Sequence, residues 1–143
     1  MSSPASDLSQ QAPAPAVLGG VVPYLQVAGA SAAAEFYTRA FGAVEVMRHP
    51  VDDKGRTMHI HLHINGSSLM LSDAFPEHGH PHQAPQAFNL MMTVNDIDAR
   101  FKRAIGAGAT EVMPVQEMFW GDRYGQLRDP YGVLWSMNQP NKR

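Results

Sequence analysis

An α+β domain built from two paired βαβββ modules is what the sequence predicts, and three observations predict it. First, the chain states one pattern twice, at an offset of about 66 residues. In the first copy an apolar run ends at Val27, a helical stretch carries Arg39-Ala40 and closes at Gly42, Glu45-Val46-Met47 follows, and a glycine turn at Gly66 precedes Leu69-Met70-Leu71. In the second copy the run ends at Val94, the helix carries Arg103-Ala104 and closes at Gly106, Glu111-Val112-Met113 follows, and Gly132 precedes Leu134-Trp135-Ser136-Met137. Second, apolar residues recur at helical spacing in two segments and at alternate positions in the others. Third, 143 residues of which 44% are apolar suffice to bury roughly 68% of the unfolded surface around one core. Two such units cannot each bury a sheet face alone, so they should pair and leave a concavity between them, where a ligand would sit.

The elements follow in order. Residues 21–27 read as a strand, with Pro23 near its start suiting an edge. Ser31 is an N-cap residue type, and Ala33, Phe36, Tyr37, Ala40 and Phe41 form one apolar helical face that ends at Gly42. Residues 44–49 and 57–64 are strands around the polar turn Asp52-Asp53-Lys54-Gly55; Asn65-Gly66 is a hairpin turn, and 68–72 a fourth strand. Residues 74–86, rich in Pro, Gly and His, link the halves and are long enough to cover a site. Residues 88–94 open the second half; Asn95 or Asp96 caps a helix burying Ile97, Phe101, Ala104 and Ile105, which Gly106 and Gly108 close. Residues 111–113 form a short strand, and 121–128 and 133–138 the last two, joined by Asp129-Pro130-Tyr131-Gly132, a type I turn that folding alone accounts for.

Composition narrows the partners. Eleven basic against 13 acidic residues, well mixed, leave no footprint for nucleic acid or an anionic membrane, so a small organic molecule is the expected partner. The absence of cysteine removes disulfides, thiolate ligands and a thiol nucleophile, and any metal would need His, carboxylate or amide ligands. Residues 1–18 lack the basic start and continuous apolar run of a signal peptide, and their Ala, Pro, Ser and Gln content reads as a disordered tail on a cytoplasmic protein, with one domain over 19–143.

Six of the seven histidines lie in two alternating sets: His59, His61 and His63 on the third strand, and His78, His80 and His82 in the linker. On a strand the first set shares a face at roughly 6–7 Å per step, with Ile60, Leu62 and Ile64 on the other. Such a ladder can chelate zinc or nickel, but a half-exposed sheet face needs polar residues anyway, and flexible His-rich tracts bind metal without purpose.

The order of elements, the Phe36-Tyr37 pair, and the run Phe119-Trp120-Gly121-Asp122-Arg123-Tyr124-Gly125 followed by Asp129-Pro130-Tyr131-Gly132 and Trp135 resemble the glyoxalase/bleomycin resistance/dioxygenase group, the vicinal oxygen chelate (VOC) superfamily, and most of all its PhnB-like branch, over about residues 21–139. The resemblance implies module one at about 21–73, module two at 87–139, a cupped mixed sheet with helices on its convex side, and a homodimer. Members that use a metal take ligands from the first and last strand of each half. Those positions here are Val22, Met70, Asn89 and Ser136, a poor donor set for a divalent metal, so no cofactor is expected and the metal-dependent activities of the group are disfavoured.

His59 is the candidate catalytic residue: Met58-His59 matches the branch's usual pattern, and a pocket histidine carries protons near neutral pH. Candidate ligand contacts are Tyr24, Gln26, His61, His63, Met70, Asn89, Met91, Trp120, Arg123 and Ser136. Arg123 could hold a carboxylate or phosphate, or pair with Asp122 or Glu117 instead; Trp120 and Phe119 could wall a planar ligand or anchor a core or interface; the methionines could line a pocket or fill the core. Three readings follow: an enzyme-like pocket without the superfamily metal, a non-catalytic protein binding an antibiotic-like ligand, and a metal-dependent lyase, isomerase or dioxygenase using displaced histidines. Bleomycin itself is disfavoured, because a cationic glycopeptide wants a strongly acidic groove.

Overall fold

A computed structural model describes residues 14–141. The first half runs β1 (Tyr24–Val27), α1 (Ala30–Phe41), β2 (Val44–Arg48), β3 (Ile60–Ile64) and β4 (Ser67–Asp73). After a single 3-10 turn at Pro76–His78 come β5 (Leu90–Thr93), α2 (Ile97–Ala107), β6 (Thr110–Glu117), β7 (Arg123–Arg128) and β8 (Leu134–Gln139). Each half makes a mixed four-stranded sheet, in the orders β1-β4-β3-β2 and β5-β8-β7-β6, with β1/β4 and β5/β8 parallel and the other pairs antiparallel. The two βαβββ modules are therefore present as expected, and no helix among the described residues is long and apolar enough to cross a membrane.

Local chemistry explains most of the element ends. Asn65 and Gly66 both adopt positive φ, 48° and 81°, as a tight turn between β3 and β4 requires. Gly42 closes α1 in the left-handed region at φ 71°. The expected Ser31 cap is not used. Helix α1 begins two residues earlier, with Gly29 at the cap position, and Oδ1 of Asp73, at the end of β4, accepts from the Gly29 and Ala30 N–H groups at 2.9 Å each. Its Oδ2 accepts from Thr57 N–H at 2.8 Å, while the Ser31 hydroxyl takes Arg48 Nη1 instead. In α2, Gly108 rather than Gly106 caps the C-terminus, and at the N-terminus Gln139 Oε1 accepts from Ile97 N–H, Asp96 spending its carboxylate on Arg100. Strand β6 is longer than expected: it is an edge strand, so Pro114 removes no ladder bond that matters, and its register shifts twice to accommodate it.

One core serves both halves. Leu25, Val27, Ile60, Leu62, Leu69 and Leu71 from the first sheet and Met92, Leu127, Trp135 and Met137 from the second belong to one buried cluster with the inner faces of α1 and α2. Tyr37 and Phe41 of α1 stand against Trp135 of β8, ring centroids 5.4 and 4.6 Å apart. The Tyr37 hydroxyl donates to Asp129 Oδ2 at 2.6 Å, the Trp135 indole N–H donates to the same oxygen at 2.9 Å, and Asp129 Oδ1 accepts from Tyr131 and Val133 N–H. Burial, and then the Asp129 charge, push the Tyr37 phenol far above its usual range.

This packing fixes where a site can lie. Both sheets pack one face on the shared helices and leave the other helix-free, and cavities open where the halves meet, one lined by Tyr24, Leu25, Gln26, Phe88 and Val133 and one by Ile64, Ser68, Leu69, Leu90, Met91 and Trp135. A wide apolar face on each sheet, read from alternation, does not say which other face it will meet.

Candidate functional site

The helix-free face of the first sheet gathers the sequence candidates of the first half. Register places Tyr24, Met70, His61 and Met47 in one row across β1, β4, β3 and β2. Gln26 lies beside Ser72, and His63 beside Ser68 and Val44. The Tyr24 ring reaches across β4 to His59: its hydroxyl lies 2.8 Å from His59 Nδ1 and 3.1 Å from the Met58 carbonyl oxygen. His49, paired through its N–H with the His59 carbonyl, brings its ring to 5.3 Å from that of His59. Burial, and then His49, hold the His59 pKa below its usual 6.5, so the ring is neutral at neutral pH. The Tyr24 phenol is pushed up, mainly by burial, and stays protonated.

His61 and His63 are committed elsewhere. His61 is 2% exposed, its Nε2 2.7 Å from Ser68 Oγ, which also accepts from Leu18 N–H at 2.8 Å. His63 Nε2 stands 2.7 Å from the Ala16 carbonyl oxygen, an acceptor that requires this nitrogen to carry its proton. Burial, with His63 and His59 next, lowers the His61 pKa. The segment 16–18, expected as part of a disordered tail, thus lies along the histidine face; residues 1–13 of that tail lie outside the described residues.

On the second sheet the equivalent row is Met91, Ser136, Gln126 and Met113. Ser136 is fully buried and its hydroxyl donates to Asn89 Oδ1 at 2.7 Å, while Met91 is 60% exposed. Trp120 sits on the β6–β7 connection, edge-on to Phe119 and to Tyr124 at 4.9 and 5.7 Å, so it extends the aromatic surface of the helix-free side rather than entering the core. Arg123 departs from both of its expected settings. It shares a strand face with Gly125 and Leu127, the side that meets Phe101 of α2, and its Nη2 donates to Asp98 Oδ1 at 2.7 Å. Strand parity turns it away from Tyr24 and His59, and its partner is on a helix rather than at Asp122 or Glu117.

The family's metal positions fit a cation badly. Val22 and Met70 offer no hard donor, and Asn89 and Ser136 satisfy one another. Among the described residues no three His, Asp or Glu side chains converge to hold a metal. Of the linker histidines, His80 lines a cavity of about 380 Å³ with Tyr24, Leu25, Gln26, Phe88 and Val133. Sequence reasoning missed His49 and Ser68. The signal for His49 was available in the pairing of β2 with β3, which puts position 49 opposite 59.

Two repeated βαβββ modules, each a mixed four-stranded sheet with one helix, define a duplicated α+β fold. The comparisons sharpen this. The chain belongs to the Glyoxalase/Bleomycin resistance protein/Dioxygenase superfamily, whose family model matches residues 18–137. An uncharacterised protein of Mycobacterium bovis is 43% identical over 124 residues, covering 82% of this chain and 81% of its own. Among solved structures, TioX from Micromonospora sp. ML1 superposes with a TM-score of 0.68 at 28% identity, over 85% of this chain and 98% of that one. A Bacillus cereus protein described as a putative 3-demethylubiquinone-9 3-methyltransferase, PhnB protein, gives 0.68 at 25% identity, over 85% and 100%.

Proposed function

We propose that this protein binds a small organic molecule on the helix-free face of its first sheet without the superfamily's metal centre, and that a second copy of the chain completes the pocket with its second sheet. The observation that carries the reading is the content of the four ligand-equivalent positions: two apolar side chains and a serine and asparagine bonded to each other, beside a row of groups neutral at neutral pH. Tyr24, Gln26, His59 and Met70 are its ligand contacts, with Met91 and Trp120 supplied from the other copy. Support for a homodimer comes from what each chain leaves open. Tyr24 is 52%, Phe88 46% and Met91 60% exposed on or beside the edge strands β1 and β5, and burying such side chains is worth about 1.5–3 kcal/mol each.

Elemental analysis of untagged protein, alongside sedimentation, tests this. The expected result is a dimer with far less than one metal per chain. A metal bound at one per chain and lost in His59→Ala would replace the reading with a metalloenzyme that uses displaced histidines, and a monomer at high concentration would remove the shared pocket.

A further inference from the structure

Away from the helix-free faces, a cavity of about 430 Å³ opens between the C-terminal end of α1 and the side of α2, a volume at the small end of ligand sites. Its floor is apolar, made by Phe41, Met92 and Met137, all buried in the shared core. Met92 alternates along β5 with Met91, and Met137 pairs with it from β8, so the cavity lies across the second sheet from the side chain offered to the ligand above. Its rim is charged. Arg100 and Arg103, three residues apart and so on one side of α2, line it with a single carboxylate, Asp96.

Each guanidinium is held by part of its fork and leaves the rest. Arg100 Nε donates to Asp96 Oδ1 at 2.8 Å and its Nη1 to Asn65 Oδ1 at 3.0 Å. Arg103 Nε donates to the Arg39 carbonyl oxygen at 2.8 Å and its Nη2 to that of Thr38 at 3.4 Å, so the carbonyls ending α1, which would repel an anion, are covered. No carboxylate pairs with Arg103 among the described residues. Arg100 Nη2 and Arg103 Nη1 therefore keep donors that no acceptor among the described residues takes. Gly42 leaves room beside them, since a Cβ there would stand 3.5 Å from Arg103 Nη1.

We infer that this cavity binds a short aliphatic monocarboxylate, its carboxylate held by Arg100 and Arg103 and its hydrocarbon body laid on the methionine floor. The charge selects one anionic group: two guanidinium groups against Asp96 leave a single positive charge, which a doubly charged phosphate would exceed. The floor selects the body, because Met92 and Met137 adapt to an unbranched chain and offer a strongly hydrated inorganic ion nothing. The site is independent of the pocket on the first sheet, with which it shares no residue. Gly42 and Asn65 come from the first half and the arginines from the second, so the bound acid would bridge the two modules.

Equilibrium dialysis of the full-length protein against radiolabelled hexanoate, at neutral pH and low salt, tests this. The expected result is saturable binding of one hexanoate per chain that weakens as salt rises, with 1-hexanol bound about tenfold more weakly and inorganic phosphate a poor competitor. Arg103→Gln should weaken hexanoate binding about tenfold. Because Arg103 also holds the end of α1, a second variant keeps both cations: Ala99→Leu, at an exposed position of α2, puts a larger side chain into the cavity and should lower the affinity by a similar factor. Hexanol binding as tightly as hexanoate overturns the carboxylate clamp, and phosphate competing on equal terms overturns the choice of a hydrocarbon body. Hexanoate binding indifferent to either substitution seats the acid elsewhere, the first-sheet pocket included, and overturns the site. Absence of saturable hexanoate binding overturns it as well.

Discussion

The two modules share a backbone plan and differ in what they place on it. Across the first sheet the row is Tyr24, Met70, His61 and Met47; across the second it is Met91, Ser136, Gln126 and Met113. The first row holds groups that exchange protons, and the second holds groups that do not. The helix starts diverge in the same sense. The N-terminus of α1 meets the Asp73 carboxylate through two N–H bonds, whereas α2 meets the neutral Gln139 amide through one. The difference teaches that one duplicated frame carries unlike side chains at equivalent places, titratable ones in the first half and neutral ones in the second, so substitutions at equivalent positions should have unequal effects.

The largest expected inequality is in stability. Asp73 is 4% exposed and accepts three backbone N–H groups, so Asp73→Ala should cost about 3–5 kcal/mol. Gln139→Ala should cost only about 1 kcal/mol. Denaturant unfolding of the two variants checks this, and equal losses would break the comparison. Next, Tyr37→Phe leaves the buried Asp129 oxygen with one donor fewer and should lower stability by about 1.5–3 kcal/mol, read in the same assay.

A smaller effect separates the halves by pH. The folded pKa values of His59 and His61 lie below the usual 6.5, so the unfolded chain takes up protons first as pH falls. The stability these rings contribute is complete above about pH 6.5 and is lost as pH drops toward their folded values. His59→Gln combined with His61→Gln should flatten the stability profile between about pH 7 and 5, whereas Gln126→Ala on the second sheet should leave its slope unchanged. The smallest expected effect is Gln139→Glu, which puts a charge at the α2 N-terminus and should stabilise by about 0.3–1 kcal/mol, screened by salt.

Much of this was legible in the sequence, for definable reasons. The repeat, the alternation of His59, His61 and His63 with Ile60, Leu62 and Ile64, and the Asn65-Gly66 turn are local patterns, and the elements they predicted are present. What escaped depends on partners distant in the chain. Ser31 lost its capping role to Asp73, and Arg123 found Asp98 because strand parity, invisible without the strand's exact start, turned it toward α2. Tyr24 and His59 were each named as site candidates, but their contact required the order β1-β4-β3 and a ring long enough to cross β4.

The Asp129 carboxylate ties the phenol of a first-half helix to the indole and turn backbone of the second half. A severed half would strand that charge or its donors and strip Trp135 of its cover. Heat or denaturant should therefore find a single cooperative transition rather than two, and the repeat, though plainly a unit of inheritance, has ceased to be a unit of folding.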